Sequence, residues 1–193
     1  MKTDNNIRSY IKENEARFLD ELFSLIRIPS ISAEPAHKAD MLQCAERWRE
    51  LLIAAGVDHA EVMPSAGNPL VFAEKHVDDD APTVLVYGHY DVMPVDPLEL
   101  WLSVPFEPEV RDERIFARGA DDDKGQSFIQ LKAFEYLVRT RQLNHNVKFI
   151  FEGEEEIGSP SLNGFLQQHH DLLKCDIILV SDTSMLAADL TSL

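Results

Sequence analysis

Three apolar runs in the sequence each end in side chains that could bind a metal ion. The runs and the residues that follow them are 83–88 before His89, 147–151 before Glu155 and Glu156, and 176–181 before Asp182. Short apolar runs of this kind predict buried parallel strands. Ligands of open α/β sheets bind outside the carboxyl ends of the strands. The sequence therefore predicts a metal site at one edge of a sheet.

His89 and Asp91 stand two residues apart, directly after the first of these runs. In an extended segment, residues i and i+2 project to the same side. Asp91 can then accept a hydrogen bond from one imidazole nitrogen while the other nitrogen binds a metal ion. This arrangement fixes the tautomer and raises the basicity of the ligand. The pair alone is equally compatible with a histidine in an ordinary loop beside an incidental aspartate.

Glu155 and Glu156 are adjacent, and in extended geometry their side chains point to opposite sides. One carboxylate could then hold a metal ion while its neighbour acts as a general base on a bound water, as metal-assisted hydrolysis requires. A charged, solvent-exposed strand end is the alternative. Gly153 and Gly158 weaken that alternative because they permit a tight backbone path after the apolar run.

A fourth acidic segment, Asp121 to Asp123, precedes a helical pattern. It could be a helix N-terminal cluster that the helix dipole stabilises. Gathered at one edge of a sheet with the other acidic residues, however, these carboxylates would repel one another strongly. Two divalent cations are the simplest compensation. A mixed set of histidine and carboxylate ligands suits zinc, with manganese or cobalt as alternatives.

The elements that must position these residues alternate between helices and strands. Helical patterns cover 7–26, 41–55, 124–139 and about 162–173, strand patterns cover 60–63, 70–74, 83–88, 147–151 and 176–181, and a hairpin is predicted across 109–117. Alternation of this kind predicts an α/β fold, a mostly parallel sheet with helices on both faces. A chain of 193 residues can build one substantial core.

Composition excludes several classes of partner. The formal net charge of −16 argues against nucleic acid and anionic membranes, since both bind basic surfaces. No apolar run approaches the ~20 residues that span a bilayer, and Met1 to Tyr10 has no apolar signal core. The two cysteines, Cys44 and Cys175, are predicted to be reduced thiols. These features together predict a cytoplasmic protein.

Three motifs resemble the signatures of the M20 family of co-catalytic metallopeptidases and occur in that family's order. They are Gly88 to Pro94, Ala117 to Gly125, and Glu152 to Ser159. Trp101, the Pro105-Phe106 pair and the Asp-Asp-Lys-Gly-Gln string most resemble the dipeptidase branch, which includes the carnosine dipeptidases. The resemblance implies a phosphorylase/hydrolase-like α/β catalytic domain and a pair of divalent metal ions.

The resemblance also implies a role for each candidate residue. His89 and Asp182 would bind the first metal, Asp122 would bridge both metals, Glu156 would bind the second, Asp91 would orient His89, and Glu155 would be the general base. A cis peptide is expected after Asp122, and Asp121 is not expected to be a ligand. The implied reaction is hydrolysis of the amide bond of dipeptides or short peptides by a water that two metals activate. An N-acyl amino acid deacylase and a non-catalytic remnant are the alternative functions.

Members of the family are about twice as long as this chain. Residues 1–193 are therefore expected to form the N-terminal portion of the catalytic domain, without the lid or dimerisation domain and without the C-terminal portion. Those parts would supply the last histidine ligand and the homodimer contacts, so the chain alone is expected to be inactive. The final residues, Ala188 to Leu193, do not resemble the family's continuation.

Overall fold

The structure is a computed structural model that describes residues 2–184. Its helices are α1 (Lys2–Ile26), α2 (Lys38–Ala55), α3 (Lys124–Arg139) and α4 (Leu162–Gln168). Its strands are β1 (His59–Met63), β2 (Leu70–Lys75), β3 (Thr83–His89), β4 (Glu109–Arg111), β5 (Arg114–Phe116), β6 (Asn146–Glu152) and β7 (Ile177–Val180). The unusual ending at residues 188–193 lies outside the described part of the chain.

Five strands form one sheet in the order β1-β2-β6-β3-β7. Strands β6, β3 and β7 are parallel, whereas β2 is antiparallel to both of its neighbours, β1 and β6. It follows that β2 runs against the other four strands. The predicted α/β fold with a mostly parallel sheet is confirmed, although two of the four pairings are antiparallel.

Helices cover both faces of the sheet, as the alternating pattern predicted. On one face, α1, α2 and α3 pack around a core that includes Trp48, Phe149 and Phe151, all fully buried. On the other face, Phe165 of α4 packs with Phe72 and Ile150 of the sheet. Among residues 2–184, no helix combines the length and the apolar character that crossing a membrane requires.

The predicted turns and helix ends follow from local backbone chemistry. Helix α2 ends at Gly56, whose φ of 107° places it in the left-handed region that glycine tolerates best. The predicted hairpin is confirmed as β4 and β5, with Asp112 and Glu113 at positive φ in its turn. Helix α1 ends at Ile26, before Pro29, which cannot continue a helix.

Strand β7 corrects one prediction. Its apolar sequence predicted a buried strand, but all four of its residues, Ile177 to Val180, are 41–63% exposed. The reason is position: among residues 2–184, β7 lies at the edge of the sheet and pairs only with β3. Within the described residues, neither of its faces is covered. The apolar run identified the strand correctly, and the error concerned only its surroundings.

Candidate metal centre

Three of the four predicted ligands, His89, Asp122 and Asp182, meet where the parallel strands end. His89 is the last residue of β3, and both parallel neighbours of β3 end beside it, which brings the segments after β6 and β7 to the same edge. The loop before α3 adds Asp122 from a third direction. Carboxyl ends of parallel strands share one edge because the strands run in the same direction.

His89 Nε2 faces three carboxylates. It lies 3.1 Å from Asp122 Oδ1, 3.7 Å from Asp182 Oδ2 and 3.8 Å from Glu155 Oε2. The imidazole is fully buried, whereas the side chains of Asp122, Asp182 and Glu155 are 58%, 30% and 38% exposed. Ligand atoms of His89, Asp122 and Asp182 all lie within 4.8 Å of one another. One cation could contact all three.

The opposite side of the imidazole is held by Asp91. His89 Nδ1 lies 3.3 Å from Asp91 Oδ1 and 3.1 Å from the Asp91 backbone oxygen. Both acceptors favour a proton on Nδ1, so Nε2 is the ring nitrogen that faces the three carboxylates. The Asp91 side chain is fully buried. The i, i+2 spacing thus places the two side chains in contact, as the extended geometry predicted.

The glutamate segment differs from its predicted geometry. Glu155 to Ile157 forms one 3₁₀ turn, so the prediction of an extended backbone at the two glutamates was wrong. The turn forms because the Asp91 carboxylate accepts hydrogen bonds from the amides of Glu155 and Glu156, at 3.2 and 3.1 Å. Gly158 then ends the turn at a φ of 86°. We call Glu155 to Gly158 the glutamate turn.

Glu156 lies outside the set of three residues that meet around Nε2. Its link to the centre is electrostatic: burial, followed by the negative charge of Asp122, raises the pKa of the Glu156 carboxyl to about 7. The charge of Asp122 thus acts both on the group around His89 and on the carboxyl of Glu156.

The charge around His89 also determines its protonation. Burial alone lowers the pKa of the imidazole, but the contact with Asp91 and the charges of Asp123 and Asp122 raise it overall, to about 10. Without a cation, the surrounding carboxylates therefore hold a second proton on the ring. A divalent cation at Nε2 would displace that proton and neutralise the same carboxylates.

Asp123 holds the backbone of His89 in place, and the sequence analysis did not predict this role. Its Oδ2 accepts hydrogen bonds from the His89 amide at 3.0 Å and from Ser127 Oγ at 2.6 Å. Burial raises the pKa of its carboxyl to about 6. A Cβ at Gly88 would lie 2.0 Å from Ser127 Oγ, so this packing requires glycine there. Within the Asp121–Asp123 run, no sequence signal distinguishes Asp123 from its neighbours.

The Asp122–Asp123 peptide bond is cis, as the resemblance implied. Asp121, which was not expected to be a ligand, is exposed and absent from the group around His89. The donors that do meet, one imidazole and several carboxylates, match the ligand chemistry of zinc and related divalent cations. Fold and site together define the class: an α/β domain with a candidate metal centre at the carboxyl ends of its strands.

Comparison with known proteins agrees with that class. The model of peptidase family M20/M25/M40 matches residues 85–191, more than half of the chain, and the chain belongs to this family. It is 30% identical over 182 residues to the cysteinylglycine-S-conjugate dipeptidase of Corynebacterium striatum, covering 93% of this chain and 40% of that protein. It is 35% identical over 192 residues to human Beta-Ala-His dipeptidase, covering 90% and 37%.

The fold also matches a solved structure of a dipeptidase. The crystal structure of human carnosine dipeptidase 1 superimposes with a TM-score of 0.86 at 27% identity, covering 95% of this chain and 42% of that one. The chain thus spans about 40% of the length of each protein named here.

Proposed function

We propose that this protein serves in metal-dependent hydrolysis of the amide bond of dipeptides or short peptides. The observation that carries the proposal is the two-sided environment of His89: Nδ1 is held by Asp91, and Nε2 faces three carboxylates within 3.8 Å. Family membership supports it, and the relatives described above are dipeptidases by name.

Two divalent cations would be held by the ligands that the sequence predicted. His89, Asp122 and Asp182 would bind the first cation, and Asp122 and Glu156 would bind the second. Zinc is the favoured metal for this donor set, with manganese or cobalt as alternatives. When bound, the cations would polarise the substrate carbonyl and lower the pKa of a water molecule to ~7.

Glu155 is the proposed general base and acid. Its carboxylate would accept a proton from the attacking water and then donate it to the leaving amine. The Glu155 side chain is only partly exposed, and its Oε2 lies 3.8 Å from the nitrogen that faces the cation. Asp91 would keep the imidazole oriented throughout and would hold the backbone amide of Glu155.

The partners and the cellular location are part of the proposal. We propose a small peptide substrate and neither nucleic acid nor membrane, because the net charge is −16. Two free thiols, at Cys44 and Cys175, are compatible with a reducing cytoplasm. Homodimerisation through residues beyond this chain is proposed from the resemblance alone.

Residues 1–193 alone are proposed to lack turnover. Among the described residues, the first cation would have three protein ligands, but the second would have only Asp122 and Glu156. Catalytic zinc sites usually have three protein ligands and a water molecule. We therefore expect one tightly bound metal ion per chain.

The test joins residues 1–184 to the remaining segment of human Beta-Ala-His dipeptidase and measures metal content and hydrolysis of a dipeptide. Glu155→Gln should retain the metal ions and lose ~10²–10⁴-fold in turnover. The matched control is Glu61→Gln, an exposed glutamate on β1. Full turnover in Glu155→Gln, or metal loss equal to that of Glu156→Gln, would contradict the assignment.

An N-acetyl amino acid as a second substrate distinguishes dipeptide hydrolysis from N-acyl amino acid deacylation. Faster hydrolysis of that substrate than of the dipeptide would favour the deacylase alternative. If the chimaera does not fold, zinc titration of the 193-residue chain still tests the ligand assignments. A chain that binds no zinc there would favour the non-catalytic alternative.

A further inference from the structure

The side chain of Ser32 reaches the metal centre from a segment that no motif includes. Its Oγ donates a hydrogen bond of 2.6 Å to Asp91 Oδ2. Ser32 is half-buried and follows α1, almost sixty residues before Asp91 in the chain. Asp91 is fully buried, so each group that contacts its carboxylate restricts its orientation.

The two oxygens of the Asp91 carboxylate have different partners. Oδ1 lies beside His89 Nδ1 and accepts from the Glu155 amide, and Oδ2 accepts from Ser32 Oγ and the Glu156 amide. Only one rotation of the carboxylate satisfies all of these contacts. A carboxylate without the Ser32 hydrogen bond would keep a single amide on Oδ2, and its rotation would be less restricted.

The segment that carries Ser32 is itself fixed to the strand end and to α3. Its contacts are Ser30 Oγ to the Tyr90 carbonyl at 2.6 Å, the Val92 amide to the Ser30 carbonyl at 2.9 Å, and Lys124 Nζ to the Leu25 and Ile28 carbonyls at 3.0 and 2.7 Å. Lys124 is completely buried and lies two residues after Asp122. The hydroxyl of Ser32 is thus presented from a rigid support.

We infer that Ser32 is a positioning residue of the metal centre. Its hydroxyl fixes the rotation of the Asp91 carboxylate, and through Asp91 it sets both the imidazole of His89 and the glutamate turn. The inference rests on the proposed function, because it takes His89 to be a metal ligand. Groups that orient a metal-binding histidine typically change metal affinity ~10–100-fold when they are removed.

The test titrates Co²⁺ into the 193-residue chain and records the visible spectrum of the bound ion, which reports ligand geometry. Ser32→Ala should weaken Co²⁺ binding roughly 10-fold, the lower end of that range, and change the spectrum. Ser32→Thr keeps the hydroxyl and should restore both. Ser24→Ala is the matched control, because Ser24 Oγ donates a 2.6 Å hydrogen bond to the Glu21 carbonyl.

The amide proton resonances of Glu155 and Glu156 provide a second readout, which should shift in Ser32→Ala and not in Ser24→Ala. Wild-type affinity and spectrum in Ser32→Ala would overturn the inference, as would a loss that Ser32→Thr does not restore. If Ser32→Ala does not fold, Ser32→Cys replaces it, since a thiol is a weaker donor of similar shape. If His89→Ala binds Co²⁺ as tightly as the wild-type chain does, His89 is not a ligand. That result would refute the proposed function and this inference with it.

Discussion

The metal centre has two halves that the fold builds in different ways. We call the buried half the floor, which consists of His89, Asp91 and Asp123, and the exposed half the mouth, which consists of Asp122, Glu155 and Asp182. Each floor residue is at most 1% exposed. The carboxylate oxygens of Asp91 and Oδ2 of Asp123 accept hydrogen bonds from backbone amides and hydroxyls, whereas Asp123 Oδ1 is buried without a hydrogen-bond partner. The mouth residues are 30–58% exposed and converge on Nε2 of His89.

This difference shows which part of the centre is fixed before a cation binds. Buried polar groups must be hydrogen-bonded, so the floor is determined by folding itself. The mouth carboxylates repel one another and have freedom to adjust. In the proposed function, a cation would neutralise the mouth, whereas the floor would orient one nitrogen toward it.

The largest effect should come from removing the one ligand that links floor and mouth. His89→Ala should lower zinc affinity more than ~100-fold. Loss of a residue that only hydrogen-bonds to a ligand typically lowers metal affinity ~10–100-fold, and loss of the ligand itself should cost more. Competition with a chromophoric chelator measures this change. His145→Ala is the matched control because His145 lies just before β6, where its Nδ1 is 2.6 Å from the side-chain oxygen of Asn144. Unchanged stoichiometry in His89→Ala would remove His89 from the site.

Asp91→Asn should have the next largest effect, because it damages the floor without removing a ligand. Zinc affinity should fall ~10–100-fold. The free energy of unfolding, measured with a chelator present, should fall by ~1–3 kcal/mol. The NH₂ group of the new asparagine would face hydrogen-bond donors that the Asp91 carboxylate accepts from in the wild-type chain. Asp176→Asn is the control: Asp176 is exposed and accepts from the Thr83 amide at the far end of β3. Equal effects in the two variants would contradict the special role of the floor.

Zinc affinity should increase with pH. The pKa of His89 is raised to about 10 by Asp91 and its acidic neighbours, which outweigh burial, so below that pH zinc must displace a proton. One displaced proton gives a ~10-fold gain in affinity per pH unit between roughly pH 6 and 8. The pKa of Glu156 is raised to about 7 by burial and by Asp122. Below pH 7, a cation bound by Glu156 must displace a second proton, so zinc affinity should change more steeply with pH there. Chelator competition across this range measures the slope, and a pH-independent affinity would refute the account of His89.

The smallest effect on the stability of the metal-free chain should come from the mouth. Asp122→Asn should weaken zinc binding but change the free energy of unfolding by less than ~1 kcal/mol. The side chain is exposed, and the substitution removes both its repulsion from the other carboxylates and its ion pair with the protonated His89. Urea unfolding with a chelator present measures this difference. A loss of stability as large as that of Asp91→Asn would show that floor and mouth are not distinct.

Two residues of the mouth, Glu155 and Asp182, could be predicted from the sequence because they follow apolar runs. His89 of the floor ends a third run, and parallel strands bring their carboxyl ends together. The same reasoning predicted the sheet and the helices on both of its faces. It could not predict that β7 lies exposed at an edge, because strand order is not encoded in the composition of a strand.

Of the floor, the sequence predicted the contact between His89 and Asp91. It could not predict the other contacts, because they join distant segments. The hydrogen bonds from Ser32 and from the glutamate turn to Asp91 span about sixty residues in each direction. The turn itself replaced the predicted extended geometry because Asp91 accepts its first two amides. Such long-range acceptors override local propensity, and no spacing within the motifs indicates them.

Anomalous diffraction at the zinc edge, from crystals of the 193-residue chain grown with zinc, tests the central claim most directly. We expect a peak ~2.0–2.1 Å from His89 Nε2 and ~2.0–2.2 Å from carboxylate oxygens of Asp122 and Asp182. Asp91 should still accept the amides of Glu155 and Glu156. A peak away from Nε2, or zinc bound at Nε2 with Asp91 released from the glutamate turn, would contradict a centre in which a fixed floor presents one histidine to a carboxylate mouth.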